Sequence, residues 1–301
     1  MIFTIAIPTY NNADTLETCI KSCLAQDFEK EYEVLVVDNN CTDNTSEILE
    51  KFKNKIQITR NKETVSMFEN HNICLEYAHG DYIVFCHSDD QLLPDALTKY
   101  FDVLNKRQFP KKYVLWGRSM YRDYFSAWHN AGYSLNQIAS GIHAIDPFIT
   151  GGGVTPSGTC FSKKSLLEIG GFVKSTHPLS PCDWITSFKL VVNHFEFEMC
   201  DRIFFHRTYA STANFTDPIE HSLSIEKAMD NLFKSISNQQ QRLIINQIIL
   251  SEYFNQHLIK YLNINNLVDK KILRKKVIKY YLRNLWLLRH RSNIKFVLSI
   301  F

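Results

Sequence analysis

Three short apolar runs are each followed at once by polar residues: FTIAIP (3–8) by Thr9-Tyr10-Asn11, YEVLVVD (32–38) by Asn39-Asn40, and YIVFC (82–86) by His87-Ser88-Asp89-Asp90. Between them lie segments with apolar residues at helical spacing. Leu16, Cys19, Ile20, Cys23 and Leu24 predict a helix over 14–26, with Asn12 or Asp14 as its cap; Ile48, Leu49 and Phe52 predict a second. KIQITR (55–60) reads as a further, shorter strand, a helix covers about 65–78, and Gly80-Asp81 turns into the strand at 82–86. Near-continuous apolar strands alternating with helices require a parallel sheet with both faces covered. Ligands of such sheets bind at the carboxyl ends of the strands, and here those ends carry the hydrogen-bonding and charged groups.

The pair Asp89-Asp90 is the sharpest of these features. Adjacent carboxylates repel unless a cation lies between them, one is protonated, or both face water. A hard divalent cation with oxygen ligands meets the first condition. Asp38 ends a strand, where its carboxylate can accept an N–H or cap the helix that follows; Thr42 and Asp43 are better placed for capping. Asp183 opens an amphipathic helix, DWITSFKLVV, and can act there as a base or as a cap. The loop containing Gly151-Gly152-Gly153 and Ser157-Gly158-Thr159 permits close backbone approach to a ligand. It lacks Gly-Lys-Ser/Thr and is no P-loop.

The middle of the chain reads VLWGRSMY (114–121) as a strand, a helix from Lys163, and FEFEMC and FFHRTY as two strands. Beyond about 218 the pattern is helical, near 218–236, 240–262 and 267–290. The net charge of +3 is unevenly spread: residues 269–301 hold ten Lys+Arg and one acid, so the rest of the chain is acidic. In that tail Leu273, Val277, Tyr280, Tyr281, Leu285 and Leu288 recur among the basic residues. A basic amphipathic helix suits an anionic membrane surface; it also suits packing on the body. No recognised nucleic-acid module accompanies the charge, so no nucleic-acid partner is expected. The eight cysteines are scattered without metal-ligand spacing and read as small core residues of a reducing compartment. With no basic leader and no long apolar run, the chain is expected in the cytoplasm.

Taken in order, Ile5-Ala6-Ile7-Pro8-Thr9-Tyr10-Asn11, Val36-Val37-Asp38-Asn39-Asn40-Cys41-Thr42-Asp43-Asn44-Thr45, Asn72, Ala78-His79-Gly80-Asp81-Tyr82-Ile83 and His87-Ser88-Asp89-Asp90 with Pro94 resemble the family 2 glycosyltransferases of the GT-A fold. The resemblance covers residues 4–95, with weaker echoes over 150–215. It implies a Rossmann-like α/β domain with a mostly parallel central sheet flanked by helices over 1–215. Its nucleotide-sugar-binding half would be 1–95 and its acceptor half 96–215, followed by a C-terminal helical extension over 216–301. It implies a nucleotide-diphospho-sugar donor, UDP-linked, held by Pro8, Thr9, Tyr10, Asn11, Asp38, Asn40, Asn72, Ser88 and Asp89, with Asp38 reading the uracil and Tyr10 stacking on it. Arg207 would pair with phosphate oxygens.

The family's Asp-x-Asp places Mg2+ or Mn2+ on Asp89, with Asp90 beside it. The first position of that pattern is His87 here, which reads equally as a weak ligand, a ribose contact or a neutral hydrogen-bonding substitute. The family's Glu-Asp pair matches Cys182-Asp183, making Asp183 the base of an inverting transfer. The implied acceptor is a glycan of O-antigen, capsule or lipopolysaccharide, including a lipid-linked one reached at the inner face of a membrane through the basic tail. A sugar nucleotidyltransferase would need a glycine-rich basic loop after the first strand, where PTYNNADT stands. A catalytically inactive binding scaffold is the other alternative, motivated by His87 and Cys182.

Overall fold

A computed structural model describes residues 1–119, 128–129, 132–141, 144, 147–148, 155–174 and 182–207. The expected helices beyond 218, the 215/216 domain boundary, Gly151-Gly152-Gly153 and the basic tail lie outside the described residues. The described elements run β1 (Phe3–Thr9), α1 (Ala13–Leu24), β2 (Tyr32–Asp38), α2 (Thr45–Phe52), β3 (Gln57–Arg60), α3 (Met67–Tyr77), β4 (Tyr82–Phe85), β5 (Asp90–Leu92), α4 (Ala96–Lys106), β6 (Tyr113–Ser119), β7 (Ile138–Ala139), β8 (Thr159–Ser162), α5 (Lys163–Glu168), α6 (Cys182–Val192) and β9 (Glu196–Arg207). The first four strands and three helices appear where the periodicity places them, within two residues at most ends.

The sheet order is β3-β2-β1-β4-β8-β6-β9-β5, with β7 on β9. β3, β2, β1 and β4 are parallel, and the chain winds outward from β1 to β3 before returning to β4 on the other side of β1. That reversal opens a crevice between the carboxyl ends of β1 and β4, the usual place for a ligand in a wound sheet. β1 is buried along its whole length, because its neighbours β2 and β4 and the helices on both faces exclude water. Ile5, Ile7, Val34, Val36 and Val84 pack in one core with Leu16, Cys19, Ile20 and Cys23 of α1. Gly80 is required at the entry to β4: a Cβ there would stand 2.5 Å from the Thr4 amide nitrogen.

Past β4 the sheet becomes mixed. β8 runs antiparallel to β4 and to β6, and β9 parallel to β6. Two features differ from expectation. FEFEMC and FFHRTY form one twelve-residue strand, β9, in place of two. The polar residues at 200–202 do not end it, because they fall at a bulge: Trp116 faces Met199 but Arg118 faces Ile203, so β9 carries the extra residues. The second feature is β5, formed by Asp90-Gln91-Leu92 in the segment read as a loop. It pairs antiparallel with the end of β9, setting Asp90 opposite Arg207.

Candidate active site

The loops leaving β1, β2 and β4 are joined by side chains into one platform. After β1, Tyr10 is 51% exposed and Asn11 adopts a left-handed φ of 50°, a conformation Asn tolerates through local hydrogen bonding. Asn11 Oδ1 accepts from the Thr42 amide at 2.9 Å, lacing the β1 loop to the β2 loop. Asn12 stands at the N-cap position of α1, yet its side chain makes no cap bond; Nδ2 donates to Ser88 Oγ at 2.8 Å. The Ala13 amide is satisfied instead by Asp43 Oδ2 at 2.9 Å. Thr15 Oγ1 donates to Ser88 O at 2.8 Å. The β1 and β4 loops therefore hold each other across the crevice. Pro8 and Thr9 are buried at the end of β1, and Thr9 Oγ1 has no hydrogen-bond partner among the described residues.

Asp38 is buried at the end of β2, and both carboxylate oxygens are engaged. Oδ1 accepts from the Cys41 amide at 2.7 Å and Oδ2 from Arg60 Nη1 at 2.8 Å. Arg60 faces Asp38 in the β2–β3 register and also donates through Nη2 to Cys41 O at 2.9 Å and to Asn40 Oδ1 at 3.3 Å. Asn40 takes a left-handed φ of 57° at the tip of the same loop. Arg60 was missed by sequence reasoning. Its signal was a cation ending a strand beside the strand that ends in Asp38.

After β4, His87, Asp89 and Asp90 each present a ligand atom, all within 4.8 Å of one another. Ser157 ties this turn to β8: its hydroxyl accepts from the His87 amide at 3.0 Å and donates to Asp90 Oδ2 at 2.5 Å. An imidazole nitrogen and two carboxylates converging at that separation fit a divalent cation that accepts mixed nitrogen and oxygen ligands. The pairing of β5 with β9 brings the backbone of Arg207 alongside Asp90, so the residue expected to meet phosphate lies beside the acidic turn. Its side chain lies outside the described residues.

Another layer of side chains lies beneath this turn. His71, in the middle of α3, is 1% exposed and rests against Phe68, Phe85 and Phe172 with ring centroids 5.0–5.6 Å away. Its Nε2 is 3.0 Å from His87 Nε2 and its Nδ1 is 2.8 Å from Met67 O. Burial, reinforced by the neighbouring His87, pushes its pKa down to about 3, so the ring is neutral at physiological pH.

Asn72 is 8% exposed and its amide holds one backbone unit: Nδ2 donates to Phe172 O at 3.0 Å, and Oδ1 accepts from Phe172 N at 2.7 Å. These bonds clamp α3 to the segment before α6 and leave the amide a further N–H and a further lone pair.

Asp183 is half-buried in the first turn of α6, where a carboxylate is favoured by the helix dipole. Its link to the strand ends runs through α6 and that clamped segment: Thr186 Oγ1 accepts from Val173 N at 2.9 Å, and the adjacent Phe172 packs on His71. Cys182, preceding it, is buried. Cys19, Cys23 and Cys86 meet in the core below His87. Hydrogen bonding to neighbouring sulfur and burial hold the Cys19 and Cys86 thiols above their ordinary range, as apolar packing groups.

Residues 4–131 match the family described as Glycosyl transferase family 2. That stretch of the chain is similar to the family 2 glycosyltransferases. The uncharacterized protein MT1568 of Mycobacterium tuberculosis (strain CDC 1551 / Oshkosh) is 39% identical over 97 residues, 32% of this chain and 30% of that protein. The poly(ribitol-phosphate) beta-N-acetylglucosaminyltransferase TarS of Staphylococcus aureus (strain Mu50 / ATCC 700699) is 35% identical over 106 residues, 32% of this chain and 18% of TarS. The aligned part thus spans less than a third of the length of these relatives. In three dimensions the likeness extends further. The crystal structure of S. aureus TarS 1-349 in complex with UDP-GlcNAc superimposes with a TM-score of 0.64 at 19% identity, covering 85% of this chain and 73% of that one. The domain therefore has the GT-A fold, a mixed α/β sheet with flanking helices. Among the described residues no helix is long and apolar enough to cross a membrane.

Proposed function

We propose that this protein transfers a sugar, with inversion, from a UDP-sugar to a hydroxyl of a bacterial surface glycan. The observation that carries this reading is the convergence of Asp38, the His87-Ser88-Asp89-Asp90 turn and Asn11-Asn12 at the carboxyl ends of β1, β2 and β4, within a stretch similar to the family 2 glycosyltransferases. The relative's name and the UDP-GlcNAc in its structure support the donor and acceptor classes.

Asp38 anchors its loop through two lone pairs and keeps capacity for a third acceptance, from the imide N–H of uracil. Exposed Tyr10 supplies a face for the base. His87, Asp89 and Asp90 would hold Mg2+ or Mn2+, which when bound offsets charge on the leaving diphosphate. Ser88 and Arg207 flank that charge. Asp183 takes the proton of the attacking hydroxyl as its oxygen bonds the anomeric carbon and the bond to the diphosphate breaks. The acceptor is an O-antigen, capsule or lipopolysaccharide glycan, and the basic tail draws the enzyme to the inner face of the membrane where a lipid-linked acceptor resides. Cys182 in place of the family's Glu favours the second reading, a domain that binds donor without turnover.

Calorimetry with UDP-, GDP-, CDP- and TDP-sugars, with and without Mn2+, tests the donor. Tight binding of a UDP-sugar only with Mn2+ is expected, and preference for another base would overturn the role of Asp38. Slow donor hydrolysis lost in Asp183→Ala, with binding retained, separates an enzyme from a scaffold. A general base contributes about 10²–10⁴-fold, and a smaller loss removes Asp183 from that role.

A further inference from the structure

His71 and His87 touch through their Nε2 atoms at 3.0 Å, a separation that is attractive only if one nitrogen carries a proton and the other does not. The rest of the geometry decides which. His71 Nδ1 is 2.8 Å from the carbonyl of Met67, which can only accept, so Nδ1 carries a hydrogen. The ring is buried against Phe68, Phe85 and Phe172, an apolar cage that holds a neutral imidazole. A neutral ring with its hydrogen on Nδ1 has a bare lone pair on Nε2. The hydrogen in the contact therefore belongs to His87 Nε2, and a neutral His87 is left with its lone pair on Nδ1. His87 sits with Asp89 and Asp90 in the cluster whose ligand atoms lie within 4.8 Å.

We propose that His71 is a positioning residue that fixes His87 in its Nε2–H tautomer, so that His87 offers Nδ1 to the divalent cation shared with Asp89 and Asp90. This rests on the reading of that cluster as the cation site. Metal-ligating histidines are ordinarily fixed by an acceptor on the other ring nitrogen; here a second histidine, itself anchored on a backbone carbonyl, takes that place. Two consequences follow from the donor set. A cation with one neutral imidazole and two carboxylates is formally neutral before the donor arrives, so the diphosphate meets no excess negative charge. An imidazole ligand also favours Mn2+ over Mg2+, because a transition-metal ion accepts a nitrogen donor more readily than Mg2+, which prefers oxygen.

The test is Mn2+ binding to the full chain, followed by the paramagnetic signal of free Mn2+, with and without UDP. His71→Leu removes the acceptor and should weaken Mn2+ binding about 10–100-fold. His71→Gln retains an amide oxygen for His87 and an N–H for Met67, and should stay within about threefold of wild type. In a His87→Ala background, His71→Leu should add nothing, which a merely structural role would not produce. His87→Asp should lower the preference for Mn2+ over Mg2+. If His71→Leu does not fold, ¹⁵N spectra of the wild-type imidazoles decide: a protonated Nδ1 on His87 overturns the proposal. Undiminished Mn2+ affinity in His71→Leu, or an equal loss in both backgrounds, overturns it as well. Unchanged Mn2+ binding in Asp89→Asn removes the cation site and the proposal together, whereas a loss there with His71→Leu unaffected removes only the proposal.

Discussion

Asn72→Ala separates a structural role from a donor contact at one position. Removing the side chain deletes both hydrogen bonds to Phe172 and leaves a backbone N–H and C=O without their partner beneath a packed ring. Each lost bond is worth about 1 kcal/mol net, and each buried group left unsatisfied costs about 1–3 kcal/mol. The vacated space beside Gly171 can admit water to one of them, so the expected loss is about 2–4 kcal/mol. The fit is tight: a Cβ on Gly171, whose φ is +65°, would stand 2.2 Å from Asn72 Oδ1. In urea, with a slope of about 3 kcal/mol per molar, the unfolding midpoint should fall by roughly 1 M. UDP affinity of the folded protein should stay within about twofold. An unshifted midpoint together with weakened UDP binding would refute this reasoning and leave Asn72 as a donor contact.

Arg60→Met leaves the buried carboxylate of Asp38 without its cation. Because Arg60 is half-exposed, the loss should lie near 1–2 kcal/mol, below the 3–5 kcal/mol of a fully buried pair, with weaker UDP binding as the β2 loop loosens; calorimetry and melting check both. Glu33 is opposed by burial but held below its ordinary value of 4.5 by bonds from Thr4 Oγ1 and from the amide and ring of His79. Its contribution is complete above pH about 4.5 and disappears as pH falls through the depressed value, so Glu33→Gln should destabilise at neutral pH and converge with wild type in acid. Gly80→Ala drives a Cβ into the backbone of Phe3 and Thr4 and should cost about 1–3 kcal/mol, read from the same urea midpoints.

The parallel half of the sheet was legible because each strand and helix there announces itself locally. Residues 3–9 and 32–38 are apolar without interruption, and Leu16, Cys19, Ile20 and Cys23 mark one helix face. The polar ends were legible for the same reason: a strand that stops in His87-Ser88-Asp89-Asp90 places those groups at a sheet edge whatever follows. Periodicity carries no information on which residue answers which across the sheet. His71 reaches His87 over 16 residues, Arg60 reaches Asp38 over 22, and Ser157 reaches Asp90 over 67. Asn72, singled out by its place in the motif, bonds a backbone unit 100 residues away.

By itself, then, the sequence determined the order of strands and helices through the first hundred residues and the set of polar groups at their ends, because burial on two faces and the 3.6-residue period are written in neighbouring residues. The tertiary structure alone decided that β5 and β9 pair so that Asp90 faces Arg207, that Arg60 neutralises Asp38, and that His71 backs His87. Those partners are chosen by sheet order and by helix packing, which depend on the whole fold closing at once.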